Sequence, residues 1–412
     1  MLALIDKLMI AFIYANIMFP QIEVFSVAIS RVPIAAALVC FGAYVVVNRA
    51  RIPRGTLAYV HGCLALLVVL AAISVVAKGN PFGNAVQFVA PVVMLFAIPV
   101  LFRLFDAYGI DRYLRHVLLA SLVVAIYVLG LFLLWYVLDE KELVLVIADL
   151  SKTTSVAGWY DINAVKIHVT SGVFFPAGIL LAWHFMKTRR QRRYLAHLAV
   201  FTFAVAVSFT AGQVFAAAAV AAAWAFLSAR TRRRGTAVAV ALLVIFAVSI
   251  ALAPSDILQS KGQSFDQKSQ QAQQALELFM ENPLLGRGLG FMYSDLRVPA
   301  LSSSEGLFVE VSYAMLLAST GLLGLACYAF IYLFPIAKAL MIAGRHPIVQ
   351  VLTLSQIAII IAAAGNPYIW AGGVGLFFVA LLVAVLAHLE DAEPTHAASA
   401  YTGATTLEAG AS

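Results

Sequence analysis

Residues 117–138 read VLLASLVVAIYVLGLFLLWYVL, a run without one charged side chain. About 20 apolar residues of α-helix cross the hydrocarbon core of a bilayer, and a helix satisfies its own backbone polar groups there. The run therefore reads as a transmembrane helix. Eleven other stretches meet or approach that length: 6–22, 31–47, 57–77, 85–102, 166–185, 194–209, 212–229, 236–253, 309–333, 348–364 and 372–389. The first is short, and Pro20 and Glu23 interrupt the residues that lead from it to Arg31.

Composition points the same way. Hydrophobic residues make up 63% of the chain and charged ones 11%, with mean hydropathy +0.95, whereas a soluble domain carries about 25% charged residues. The expectation is an all-α polytopic membrane protein of about 12 transmembrane helices over 1–389. The tail 390–412, rich in Ala, Thr and Glu, is expected to be disordered. No small-residue cleavage site follows a compact apolar core, so the first helix is expected to be retained. Cys40, Cys63 and Cys327 lie far apart inside apolar runs, which suits packing and offers neither a disulfide framework nor a CxxC metal pattern.

Orientation follows from Lys and Arg, which cytoplasmic loops retain. With the amino terminus inside, one set of loops collects Lys7, Arg49, Arg51, Arg54, Arg103, Arg112, Arg115, the runs MKTRRQRR (186–193) and ARTRRRG (229–235), Lys338 and Arg345. That is two thirds of the 27 basic residues, so both termini are expected in the cytoplasm. The net charge of +7 is explained by this asymmetry, and no nucleic-acid partner is expected.

The opposite face carries two long loops, 139–165 and 254–308. The first is acidic at its start and ends near Trp159, Tyr160 and Asp161, a composition that suits an interfacial anchor. In the second, Ser264-Phe265-Asp266-Gln267 fits a capping box, so a helix is expected from about 265 to 281. Ala272, Ala275, Leu276 and Phe279 fall on one face of it, with glutamines on the other, so it should lie on the bundle. Lys268 shares that apolar stripe. Either its stem snorkels along the bundle to lipid phosphates, or its ammonium holds an anionic substrate group. Past the helix, ENPLLGRGLGF (281–291) suits neither helix nor strand, because Pro283 lacks an amide donor and Gly286, Gly288 and Gly290 loosen the chain around Arg287.

The run KSQQAQQALELFMENPLLGRGLG (268–290), followed by VEVSYAMLLASTGLLGL (309–325), resembles the O-antigen ligase and polymerase superfamily. The likeness is strongest over about 200–330. It implies a GT-C-like bundle with a large periplasmic loop at 254–308, in the bacterial inner membrane. It also implies glycosyl transfer from an undecaprenyl-diphosphate-linked glycan without a metal or other cofactor. Membrane lipids and other polysaccharide assembly proteins are the remaining partners it suggests.

Three departures qualify the resemblance. Where the ligases resemble one another in a Ser-Arg-Gly segment, this chain reads SFTAGQ, with Ala211 before Gly212. Their Arg on the amphipathic helix aligns with Lys268, and their His at the start of the next helix aligns with Glu310 in EVSYAMLLASTG. These differences favour the polymerase branch, with a ligase as the closest alternative and a flippase or transporter from another class.

The chemistry of a departing diphosphate asks for cations near it and a base near the acceptor hydroxyl. Lys268 and Arg287 are the candidate cations, and Glu310 is the candidate catalytic base. Gly286, Gly288 and Gly290 could bring backbone amides to phosphate, and Tyr313 completes the substrate-binding set. Each has a plainer reading: a helix-end charge for Glu310, headgroup contact for Arg287, and a turn beneath Phe291 for the glycines.

Overall fold

The computed structural model describes residues 1–18, 23–24, 27–28, 31–49, 51–151, 154–158, 165–208, 211–227, 255–293, 311–344, 346–365 and 373–408. Helices dominate: α1 (Leu2–Met18), α2 (Arg31–Asn48), α3 (Arg54–Ala72), α4 (Phe82–Val89), α5 (Ala97–Tyr108), α6 (Ile110–Tyr136) and α7 (Lys141–Ser151) in the first part of the chain. They continue with α8 (Phe175–Arg189), α9 (Arg193–Val207), α10 (Ala211–Leu227), α11 (Ser255–Glu281), α12 (Ser312–Ile342), α13 (Pro347–Ala362) and α14 (Val374–Glu408). Two short antiparallel ribbons accompany them, Glu23–Val24 with Val27–Ala28 and Thr154–Gly158 with Val165–Val169.

Six helical stretches among the described residues are long and apolar enough to cross a membrane: Arg31–Asn48, Arg54–Ala77, Phe82–Tyr108, Ile110–Tyr136, Ser312–Ile342 and Gly375–Ala392. Three shorter apolar helices lie at Arg193–Val207, Gly212–Trp224 and Pro347–Ala362. The span read at 236–253 lies outside the described residues. Large apolar side chains cover the outside of these helices, as with Val39 (75% exposed), Val46 (78%) and Val76 (84%). A soluble protein would bury such a surface. Lipid accepts it, and this is a membrane protein.

Several helices depart from a single regular rod for local reasons. Arg54–Ala77 changes from α to π geometry at Ile73, and Phe82–Tyr108 passes through a 3-10 segment at Ala90–Phe96 that carries Pro91. The acidic loop after α6 is itself partly helical, since it contains α7, and Thr154–Gly158 pairs there with Val165–Val169. The amphipathic helix α11 starts at Ser255, so the Ser264–Gln267 box lies inside it rather than at its start. Nothing in SDILQSKGQ breaks a helix except Gly262, which costs only about 1 kcal/mol. Similarly, α14 runs on to Glu408, through most of the tail expected to be disordered.

Polar contacts gather at the arginine-rich end of the bundle. Asp6 accepts from Arg112 and from the Tyr113 hydroxyl, both at 2.6 Å. Asp111 pairs with Arg189 at 2.9 Å, Glu390 with Lys338 at 2.8 Å, and Asp106 with Arg103 and His388. These contacts join α1 and α8 to α6, and α5 and α12 to α14, at one end and leave the other end to the glycine-rich segment.

Candidate functional site: a broken helix closed by the glycine-rich segment

α12 contains a break. Gly321 has φ 62° and ψ −160°, a conformation essentially restricted to glycine. A helix interrupted there loses backbone hydrogen bonds on both sides, and such groups are costly when buried without partners. All of the region from Ser312 to Gly321 except Tyr313 and Leu317 is buried.

The segment after α11 supplies the missing partners. The amides of Arg287 and Gly288 donate to Ala318 O (2.8 Å) and Ser319 O (2.6 Å) on one side of the break. On the other side, the amides of Leu322 and Leu323 donate to Pro283 O (2.9 Å) and Leu284 O (3.1 Å). The backbone approach is close enough to exclude side chains. A Cβ on Gly286 would stand 2.5 Å from the carbonyl carbon of Ser319, and one on Gly321 would stand 2.5 Å from that of Leu284.

A second wall clasps the segment from the end of α3. The Ser74 hydroxyl, on the π turn, donates to Leu70 O and accepts from the Leu289 amide, each at 2.6 Å. The Asn80 side-chain amide donates to Arg287 O and Leu289 O at 3.0 and 3.1 Å, Asn84 donates to Gly290 O at 3.4 Å, and Lys78 Nζ donates to Asn282 Oδ1 at 3.1 Å. Gly288 and Gly290 have positive φ and would meet Asn80 and the Asn84–Ala85 backbone if they carried a Cβ. Tyr293 closes the arrangement, its hydroxyl 2.6 Å from Ser319 Oγ. Burial pushes that phenol well above its ordinary pKa, so it stays protonated.

The expected site residues land as follows. Gly286, Gly288 and Gly290 are buried, and the amides of Gly286 and Gly288 are already bonded, to Asn282 O and Ser319 O. In this structure these two amides are taken by the protein's own carbonyls, and the glycines permit the close backbone packing. Arg287 is half-buried, forms an ion pair with Glu281 and lies 5.8 Å from the centre of the Phe291 ring, while its Nε is shut away without an acceptor. Lys268 is half-buried on α11, whose inward stripe is Gln271 and Ala275, with Leu276 44% exposed instead of facing in.

Lys268 stands 13 residues before Glu281, the partner of Arg287, which is about 20 Å along one helix. The two cations expected to share one diphosphate are therefore attached to different parts of the structure. Tyr313 donates to Ile360 O at 2.5 Å and so ties α12 to α13. Glu310 lies outside the described residues, two positions before α12 begins at Ser312. Lys78, Asn80, Asn84, Ser74 and Glu281 were not legible as site residues. The signal that Lys78, Asn80 and Asn84 gave was KGNPFGN (78–84), a polar turn between two apolar runs on the same side as the glycine-rich segment.

Among the described residues no group of three His, Cys, Asp or Glu side chains is placed to hold a metal. Residues 196–329, which include α11, the glycine-rich segment and the break in α12, match the sequence model of the family described as O-antigen ligase. The match covers about a third of the chain, and over that stretch the chain is similar to the O-antigen ligase family. No curated protein matches the chain. The closed helix break at Gly321 lies inside the matched stretch.

Proposed function

We propose that this protein polymerises undecaprenyl-diphosphate-linked oligosaccharide repeats at the periplasmic face of the inner membrane, using about 12 spans with both termini in the cytoplasm. The observation that carries the reading is the O-antigen ligase match over the very segment that closes the break in α12. In the reaction, an acceptor sugar hydroxyl attacks the anomeric carbon of the donor. The bond from that carbon to the diphosphate oxygen breaks, its electron pair leaves with the diphosphate, and the hydroxyl proton passes to the Glu310 carboxylate.

Arg287 is the cation assigned to the diphosphate, because its backbone is anchored to α12 at Ala318, six residues or about 9 Å past Ser312. Lys78, on the same clasp, is the second cation. Lys268, about 20 Å back along α11, is assigned to a different anionic group of the lipid-linked substrate or its surrounding headgroups.

A broken helix is also a feature of transporters, where the freed backbone groups coordinate cargo. Here the carbonyls of Ala318 and Ser319 and the amides of Leu322 and Leu323 are taken by the protein's own segment, and the sequence has no internal repeat. The glycan profile of a deletion strain tests the reading. Single repeats left on the lipid carrier are the expected result. Long unattached chains would assign a ligase, and repeats held on the cytoplasmic side would assign a flippase.

A further inference from the structure

A second site lies at the other end of the bundle. Arg54 begins α3 and Lys78 follows the π turn that ends it, so the two are separated by 24 residues, about 36 Å of helix. Around the α2–α3 connection the structure holds an open cleft of about 950 Å³. Arg49, Arg51 and Arg54 line it from the connection, Arg103 lines it from α5, and Asp391 of α14 is the one acidic group among its described lining residues.

Arg103 is poorly satisfied where it stands. One terminal nitrogen pairs with Asp106 at 3.2 Å, while Nε is shut off from solvent and has no acceptor. Leaving a buried charged donor unmade is expensive. No ion pair to Arg49, Arg51 or Arg54 is found among the described residues, although carboxylates at this end of the bundle pair with other cations.

An apolar hollow of about 350 Å³ adjoins the cleft, sharing Pro53 and Asp391 with it. Its apolar walls are Tyr59, Phe334, Pro335, Val383, Leu386 and Ala387, and Thr56 and the paired Lys338 and Glu390 also line it. The Tyr59 hydroxyl is spent on Ile331 O at 2.6 Å, so the wall it presents is apolar. Tyr59 lies five residues further along α3 than Arg54, about 8 Å deeper toward the bilayer. A cationic cleft at the rim with an apolar hollow beneath it matches a molecule with an anionic head and a hydrocarbon tail.

We propose that this pair of hollows binds an anionic phospholipid, with its phosphate among Arg49, Arg51, Arg54 and Arg103 and one acyl chain in the apolar hollow. Guanidinium groups suit the phosphate, because their paired donors match two of its oxygens. The lipid would brace the α2–α3 connection against α5 and α14. This site is independent of the glycan reaction at the opposite end.

The test uses the full-length protein in zwitterionic detergent, with the thermal midpoint followed against added phosphatidylglycerol, phosphatidylcholine or inorganic phosphate. A ligand that binds only the folded state raises the midpoint with its concentration. Phosphatidylglycerol should raise it, and the other two should not. The double variant Arg51→Lys, Arg54→Lys keeps both charges and should need about tenfold more phosphatidylglycerol, the loss of about one charge-assisted fork. Ala387→Phe, which fills the apolar hollow and leaves the arginines alone, should also weaken the response and decides the matter if the arginine variant does not fold. An equal response to phosphatidylcholine would overturn the proposal, as would a full response to inorganic phosphate. An unchanged response in both variants would do the same.

Discussion

Gly321 and Leu284 meet backbone to backbone: a Cβ on Gly321 would lie 2.5 Å from the Leu284 carbonyl carbon, and the Leu284 oxygen accepts from the Leu323 amide just past the break. The glycine-rich segment and the interrupted helix are thus one structural unit, although 37 positions separate these two residues. The segment is a fitted closure of the break.

Gly321→Ala should break that unit. Its φ and ψ lie where only glycine sits without strain, which costs about 1–3 kcal/mol before the steric conflict is counted. The thermal midpoint in detergent should fall and protease should cut near 283–290. Gly130→Ala is the control, since its Cβ would meet nothing within 4 Å and alanine favours the helix. Equal stability of the two variants would show that the break does not depend on glycine.

Asn80 is the two-pronged clasp on Arg287 O and Leu289 O. Asn80→Ala removes two donors and should cost about 1–3 kcal/mol. Asn80→Asp should be worse than Asn80→Ala, because it turns a carboxylate toward two carbonyl oxygens. Unfolding in detergent reads both, and the reverse order would mean that the side chain does not face those carbonyls.

The Arg287–Glu281 pair separates stability from activity. Both side chains are partly exposed, so breaking the pair should change stability by less than about 1 kcal/mol. If Arg287 serves the leaving diphosphate, Arg287→Ala should lower transfer while Glu281→Gln, which frees the guanidinium, should preserve or raise it. Equal losses in both variants would assign the pair a structural role only. In vitro polymerisation with purified variants distinguishes the outcomes.

The helices were legible in part because hydropathy reports membrane spans directly: Arg31–Asn48 and Arg54–Ala77 fall within a few residues of the stretches read from apolar runs, while six stretches among the described residues, against about 12 expected, are long and apolar enough to cross a membrane. Ile110–Tyr136 starts earlier than the apolar run because Arg112 and Tyr113 find a partner in Asp6, a contact that hydropathy does not see. The break at Gly321 was not legible, since ASTGLLGL reads as an ordinary small-residue helix until its partner carbonyls at Pro283 and Leu284 are known. Arg287 could be picked out as a cation amid glycines, but its partner Glu281 and its clasp from 74–84 come from tertiary contacts. Lys268 kept its place on the inward stripe, although the stripe turned toward Gln271.

Topology is open to direct chemistry. With Cys40, Cys63 and Cys327 replaced, Asp266→Cys should react with an impermeant thiol reagent from outside intact inner-membrane vesicles of periplasmic orientation, and Gln191→Cys should not. The opposite pattern would place the glycine-rich unit on the cytoplasmic side and remove the basis for the proposed reaction.

The most direct measurement is glycan polymerisation by the purified, reconstituted protein supplied with undecaprenyl-diphosphate-linked repeats, comparing wild type with Glu310→Gln. A general base must ionise, and Gln keeps the shape without accepting the proton. Wild type should give a ladder of products and Glu310→Gln none, while Glu310→Asp, displaced by about 1 Å, should be slower by about 100-fold. Glu305→Gln, five residues earlier, should match wild type. A ladder from Glu310→Gln at the wild-type rate would contradict the account.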